Sequence, residues 1–325
     1  MGEKLALGLD LGGTNITGAL ATADGKLAAI TRRKTHSSRG PGPVIDDMAG
    51  IVEDLITSHN ISRDEVIGLG VGAPGPLSHR DGIIFKSANL PGWNNVRLRR
   101  VLLERTGLPT ILDNDANVAA FGEFWMGAGK GVRQMVALTL GTGIGSGVIL
   151  DGEVLRGYFE NAAELGHLIV QAGGRPCSCG QQGCLEQYAS ASNLTRHCIE
   201  LVKEGRESSL SELIGKGELG AKEVAEAAKA GDALAAEVWD EACYYLAVGC
   251  INVQHAFNPQ MLVLSGGMSK AGDFLLARVR RYARELGWKL CDDQPEISIS
   301  VLGDDAGVIG AAGMAWAARN SGVFG

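Results

Sequence analysis

Apolar and polar positions follow two different periods along the 325-residue chain. Residues 5–10, 15–21 and 27–33 are short apolar-rich runs separated by "LGGT" and "ADGK", whose Gly and Asp-Gly pairs are hairpin turn signals. They predict a three-stranded meander. The period then lengthens: in "VIDDMAGIVEDLITSHN" the apolar residues Ile45, Met48, Ile51, Val52, Leu55 and Ile56 recur at helical spacing, ahead of the buried-strand run "VIGLGVG" and the turn "APGP". "NNVRLRRVLLERTGLPTILDNDANVAAFGEFWMGAG" repeats the scheme, with a helix stopped at Gly107, a short strand over 109–112, a polar turn and a second helix. Strands alternating with helices predict an α/β domain.

At Met135 the opening pattern returns. "MVALTLGTGIGSGVILDGEVL" has strand, Gly-rich turn, strand, Asp-Gly turn and strand, as "LALGLDLGGTNITGALATADGKL" does, which points to an internal duplication. Residues 189–204, 221–230 and 233–256 are rich in Ala, Leu and Glu and predict helices. The last of these carries Trp239, Tyr244 and Tyr245, expected in the core, with a subunit interface as the alternative. "MLVLSGG" supplies another buried strand, and "ISISVLGDDAGVIGAAGMAWAARN" a strand followed by a helix whose small residues demand close packing.

The net charge of −7, without a Lys/Arg-rich run, argues against a nucleic-acid surface, since phosphate binding needs clustered cations. No apolar run approaches about 18 residues and no export leader is evident, so a cytoplasmic protein without membrane contact is expected. Seven cysteines, an odd number, suit a reducing compartment better than a disulfide framework.

Six short segments carry candidate chemistry. "DLGGTN" sets Asp10 at a strand end before two glycines, and "LGTGIGSG" repeats such a turn in the second copy. Backbone N–H groups in turns of this kind can converge on a phosphate where a Cβ would obstruct. A third Gly turn, "SGGM", completes a nucleotide-binding set, and neither a P-loop nor a dinucleotide fingerprint is present. "ILDNDAN" ends a strand with two carboxylates and two amides, more than helix capping requires. Asp115, at a helix N-terminus that would keep it ionised, is the candidate base for a hydroxyl attacking phosphorus, with Asn114 positioning the substrate. "CSCGQQGC" offers the thiols of Cys177, Cys179 and Cys184, and His167 stands ten residues upstream in "AELGH". That set can close a tetrahedral structural Zn2+ site, the glycines at 180 and 183 supplying the turns.

In their order, "LDLGGTN", "GVGAPGP", "NLPGW", "DNDAN", "LGTGIGSG", "AELGH", "CSCGQQGCLE" and "LSGG" resemble the ROK family of sugar kinases and repressors, and within it the bacterial ATP-dependent glucokinases. The resemblance covers nearly the whole chain. It implies an actin-like ATPase fold of two ribonuclease-H-like domains around an interdomain cleft that takes ATP, Mg2+ and a hexose. The small N-terminal α/β domain would span 1–118, completed by the C-terminal helix at about 305–325 as the resemblance implies, and the large domain with the zinc knuckle 119–304. Asp115 would be the general base toward the sugar 6-hydroxyl and Asp10 would lie near the Mg2+. Gly12, Gly13, Thr14, Thr142 and Gly143 would hold the ATP phosphates, with Gly266 and Gly267 near the adenosine. Gly75, Asn89, Asn114, Glu164, His167 and Glu186 would hold sugar hydroxyls. His167 would serve zinc with one ring nitrogen and sugar with the other, so that the knuckle fixes the sugar-reading loop.

Two features depart from the family pattern: Ala163 stands where the family commonly has Gly, and "YFENAAE" is bulkier and more acidic than the usual loop. They keep an N-acetylglucosamine or N-acetylmannosamine kinase open beside a glucokinase. Family repressors place a winged-helix domain before the kinase-like body; here "LDLGGT" begins by residue 9, so a DNA-binding module is not expected. A non-catalytic sugar sensor would have no use for Asp115 or the phosphate turns. Family precedent implies a homodimer or homotetramer, and polyphosphate stands as a second possible phosphoryl donor.

Overall fold

The computed structural model describes residues 4–87, 90–290 and 293–324. Strands β1 (Leu5–Leu11), β2 (Asn15–Ala21) and β3 (Leu27–Lys34) form the predicted meander, followed by α1 (Pro41–Ser58) and β4 (Val66–Ala73). A small antiparallel sheet, β5 (Leu77–Ser78), β6 (Ile83–Lys86) and β7 (Asn94–Val96), intervenes before α2 (Leu98–Thr106), β8 (Thr110–Asn114) and α3 (Asp115–Met126). The second copy runs through β9 (Met135–Leu140), β10 (Ile144–Leu150) and β11 (Glu153–Val154) into α4 (Glu186–Ala189), α5 (Ala191–Lys203), α6 (Ser211–Lys216), α7 (Ala221–Lys229) and α8 (Ala233–Phe257). The chain ends with β12 (Met261–Ser265), α9 (Asp273–Leu286), β13 (Glu296–Ile299) and α10 (Ala306–Asn320).

The duplication read from the turns is also a duplication of topology. One sheet has the order β3-β2-β1-β4-β8 and the other β11-β10-β9-β12-β13. In the first, β1 and β2 pair antiparallel, as do β2 and β3, while β4 runs parallel to β1 and β8 parallel to β4. In the second, β12 is parallel to both β9 and β13. In open sheets of this kind, ligands bind beyond the carboxyl ends of the parallel strands. Asp10, Gly75 and Asp115 lie at or just past the ends of β1, β4 and β8, and the glycine turns at 141–143 and 266–267 follow β9 and β12.

Contacts divide the chain into two compact units, one drawn from 1–131, 147–162 and 301–325, the other from 132–146 and 163–300. In the first, Leu7, Leu9, Ile16, Leu20, Met48, Ile51 and Leu69 build a core in which α1 covers one sheet face. The small-residue helix α10 covers the other, with Ala312 and Ala315 packed on Ala6, Ala21 and Ile67. Glycines make that approach possible: a Cβ on Gly70 would stand 1.8 Å from the Ala311 carbonyl oxygen, and one on Gly310 1.8 Å from that of Val118 in α3. Backbone cannot yield that far without moving a helix. Gly310→Ala is therefore expected to lose ~3 kcal/mol or more, read as a drop in urea midpoint. Gly215→Ala, with open space around it in α6, should leave the midpoint unchanged or slightly raised. Equal midpoints for the two variants would refute the close-packing argument.

The structure differs from the sequence expectations at several elements besides the β5–β7 sheet and α4. β8 continues through Asp113 and Asn114, which the polarity of "DNDAN" suggested as turn. The helix expected over 189–204 begins at Ala191 because Ser190 caps it, its hydroxyl accepting from Asn193 N–H at 3.3 Å. Helices α6 and α9 lie outside the predicted set, although α9 is amphipathic, burying Leu275, Leu276 and Val279. In α8, Trp239 is buried as expected, but Tyr244 is 38% exposed and stacks edge-on with Tyr245 and Tyr282.

Candidate active site

In the first unit, the four polar residues of "DNDAN" take distinct jobs. Asn114 is the N-cap of α3, its Oδ1 accepting the Ala116 N–H at 2.9 Å. Asp113 is buried, and its Oδ1 accepts from Asn114 N–H at 2.8 Å and from Asn117 Nδ2 at 2.9 Å. Asp115 is left half-buried at the helix start, with Oδ1 accepting the Ala116 N–H at 2.9 Å. A Cβ on Gly75 would stand 3.3 Å from Asn114 Nδ2, so the turn after β4 lies against the cap residue.

The helix terminus is not the largest influence on Asp115. Its bonds to Ala116 and Asn114 favour the carboxylate, but burial outweighs them and raises its pKa. Asp10 goes the same way, raised to about 6, first by burial and then by the negative charge of Asp115. Its carboxylate lies over the first turn of α10, where a Cβ on Gly307 would meet Oδ2 at 2.5 Å. A raised folded-state pKa contributes stability below the unfolded value of 3.8 that is lost as pH rises through about 6. In Mg2+-free buffer, this group should return on the order of 1 kcal/mol between pH 7.5 and pH 5. Asp10→Asn should be more stable than wild type at pH 7.5, with the gap narrowing at pH 5 by urea titration; a gap independent of pH would contradict the assignment.

The turn from β1 to β2 is closed by a hydrogen bond from Gly12 N–H to the Asn15 carbonyl at 2.9 Å, and Thr35 Oγ1 holds the Gly12 carbonyl at 2.7 Å. The N–H groups of Gly13 and Thr14 have no acceptor among the described residues, which leaves them available to an anion. In the second unit, Gly141 N–H bonds to the Gly143 carbonyl at 3.0 Å across the β9–β10 turn. The Gly266 turn packs on the end of β9: it adopts φ 84°, and a Cβ there would lie 2.7 Å from the Leu140 carbonyl oxygen. Next to it is a cavity of about 330 Å3 lined by Lys222, Glu226, Trp239, Gly267, Met268 and Lys270, large enough for a nucleoside.

The cysteine loop belongs to the same unit. The donor atoms of His167, Cys177, Cys179 and Cys184 all lie within 4.8 Å of one another. Cys177 Sγ is 3.7 Å from His167 Nδ1, and Cys179 Sγ is 3.6 Å from Cys184 Sγ. Tetrahedral Zn–S bonds of about 2.3 Å put ligand atoms about 3.8 Å apart, so the donor set and spacing fit a closed zinc site. Gly180 and Gly183 turn the loop at φ 93° and 85°, and Arg175 braces it by stacking on Tyr188 and pairing with Glu241 at 2.9 Å. All six described cysteines are free thiols.

Glu186 links loop and turn. Oε1 accepts from Cys177 Sγ at 3.4 Å, Oε2 accepts from Ile144 N–H at 3.4 Å, and a Cβ on Gly143 would stand 2.6 Å from Oε2. A residue expected at the sugar thus touches the turn expected at the phosphates. Glu164 is exposed ahead of the short helical turn Leu165–His167, and Thr142 is exposed at its turn. Asn89 lies outside the described residues. Sequence reasoning missed Arg156, whose Nε and Nη2 each stand 2.7 Å from Asp113 Oδ2, and Ser146, which accepts from Leu165 N–H at 2.9 Å. The partner of a buried Asp is the signal for the first; the second carries none in sequence.

A family model, ROK family, matches residues 6–318. The chain is 39% identical to a glucokinase of Halalkalibacterium halodurans, over 99% of this chain and 98% of that one. A ROK hexokinase from Thermus thermophilus superposes with TM-score 0.83 at 33% identity, covering 98% of this chain and 99% of that one. A ROK family glucokinase from Streptomyces griseus, solved in complex with glucose and AMPPNP, superposes with TM-score 0.79 at 30% identity, covering 96% and 99%. These likenesses run the length of both five-stranded sheets, and the neighbours share the actin-like ATPase architecture expected from the motifs. The chain belongs to the ROK family.

Proposed function

We propose that the protein is an ATP-dependent sugar kinase that transfers the γ-phosphoryl group of ATP to the 6-hydroxyl of glucose. One conjunction carries this reading: a half-buried carboxylate at the carboxyl end of β8, in a chain alike over 99% of its length to a glucokinase. Asp115 takes the proton of the 6-hydroxyl as its oxygen attacks the γ-phosphorus, and ADP leaves with the bridging oxygen's electron pair. The raised pKa suits that task, because a base must hold the proton it takes.

The free N–H groups of Gly13 and Thr14, with Thr142 and Gly143, would hold phosphate oxygens. Mg2+ arriving with ATP would neutralise phosphate charge, and Asp10 would be the carboxylate that faces it. The cavity beside Gly267 would take the adenosine. Gly75, Asn89, Asn114, Glu164, His167 and Glu186 would hold the sugar. The knuckle residues His167, Cys177, Cys179 and Cys184 would hold Zn2+, which fixes the His167 ring.

The loop departures bear on the choice of sugar. Ala163 has φ 66°, the left-handed conformation a glycine would adopt at no cost, and its carbonyl is held by Ser146 Oγ. The loop thus keeps a glycine-like course with one added methyl group. No helix among the described residues is long and apolar enough to cross a membrane. The test is a coupled ADP-release assay with Mg-ATP against glucose, mannose, N-acetylglucosamine, N-acetylmannosamine and fructose. Glucose should dominate by kcat/KM. Dominance of an N-acetyl sugar would replace the substrate, and absence of turnover with all five would reopen the sugar-sensor alternative.

A further inference from the structure

Asp113 is 1% exposed, and every direction of its carboxylate is engaged. Oδ1 takes Asn114 N–H and Asn117 Nδ2, and Oδ2 takes the Arg156 fork through Nε and Nη2, each at 2.7 Å. The two residues bonded to Oδ1 bracket Asp115 in the first turn of α3. Arg156 is itself pinned. Its carbonyl accepts Ala162 N–H at 3.0 Å, and Glu160, in the same loop, accepts from Ser78 Oγ at 2.6 Å and from Arg80 N–H at 3.0 Å.

We propose that Arg156 is a positioning residue for the base: its fork fixes Asp113, Asp113 fixes the helix turn that carries Asp115, and its charge cancels that of Asp113. The proposal rests on the reading of Asp115 as general base.

The charge balance around Asp115 shows why cancellation matters. Asp10 on β1 is acidic and Asp113 lies two residues away. His79, 3.4 Å from Asp113 Oδ2, donates from Nδ1 to the Leu112 carbonyl at 2.8 Å, and burial and then Arg156 lower its pKa, which disfavours its charged form. Glu160 and Asp81 add negative charge around Ser78. Arg156 is the cation bonded to this group, and without it Asp113 becomes an uncompensated neighbour that makes Asp115 harder to ionise.

The experiment measures kcat and KM for glucose and ATP between pH 5 and 9 in the full-length enzyme. The variants are Arg156→Met, Arg156→Lys and the double variant Arg156→Met with Asp113→Asn. Arg156→Met should lower kcat about 10- to 100-fold, barely change KM for ATP, and move the acid limb of the kcat profile up by about one pH unit. Arg156→Lys keeps the charge but not the fork, so the limb should stay in place while kcat falls about tenfold. The double variant removes the orphaned charge, so its limb should return to the wild-type position with kcat still low. A limb equally displaced in the double variant, or unmoved in Arg156→Met with wild-type kcat, would overturn the proposal. If Arg156→Met does not fold, the other two variants still decide. Retained kcat in Asp115→Asn would instead remove the base reading itself.

Discussion

Asp115→Asn is expected to lower kcat about 1,000-fold while glucose still binds, because general base catalysis of this kind contributes between about 10² and 10⁴. The amide keeps the shape of the carboxylate and its Oδ1 can still accept the Ala116 N–H, so α3 should start where it does now. What is lost is the site that takes the hydroxyl proton. The substitution also has an effect away from the chemistry. Asp115 is the charge that pushes the Asp10 pKa up after burial has done so, and removing it should bring the Asp10 pKa down from about 6. Calorimetric glucose binding, single-turnover kinetics and a carboxylate titration by NMR would read the three consequences separately. Wild-type kcat would exclude Asp115 as the base.

Cys179→Ser should release the zinc and cut kcat/KM for glucose about 100-fold, with a much smaller effect on KM for ATP. Cys179 is the exposed member of the cluster, so its replacement disturbs the core less than a change at buried Cys177 or Cys184 would. Losing one of four ligands opens a closed site, and the groups that zinc orients lose their fixed geometry at a cost of about 10- to 100-fold. Here those groups are the His167 ring, 3.7 Å from Cys177 Sγ, and Glu186, which follows the ligand Cys184 by two residues. Metal analysis should find one zinc per wild-type chain and none in the variant. Unchanged metal content would show that the four side chains do not form the site. Equal losses for glucose and ATP would show that the knuckle acts on the turn at Gly143 and Ile144, which Glu186 also touches.

Much of the molecule can be read from neighbours in sequence, because the forces involved are local. The turn at Gly12–Gly13, the stop at Gly107 with φ 68° and the cap at Asn114 depend on the conformational range of a few residues. Hydrophobic period separates β4 from α1 for the same reason. The repeat of "strand, Gly turn, strand, Asp-Gly turn, strand" was enough to announce two sheets of one topology. The cysteine cluster was legible because chemically distinctive donors recur within a few residues, and the structure adds that their atoms lie within 4.8 Å.

What sequence patterns left open is decided by distance in the chain. Asp113 meets Arg156 across 43 residues, and no local preference marks which arginine a buried carboxylate will meet. α10 settles on β1, β4 and α3 because glycines at 8, 70, 122 and 310 clear its path, a complementarity that exists only once all four elements are in place. The direction of the Asp115 pKa shift likewise could not come from its position at a helix start. Local hydrogen bonds favour the carboxylate, but the bulk that buries it comes from the assembled unit, and desolvation outweighs them. Most of the elements, the turns and the chemical inventory are legible in the order of residues. Which charges are paired, buried or left free is settled by packing, because burial and long-range pairing belong to the folded chain and not to any segment of it.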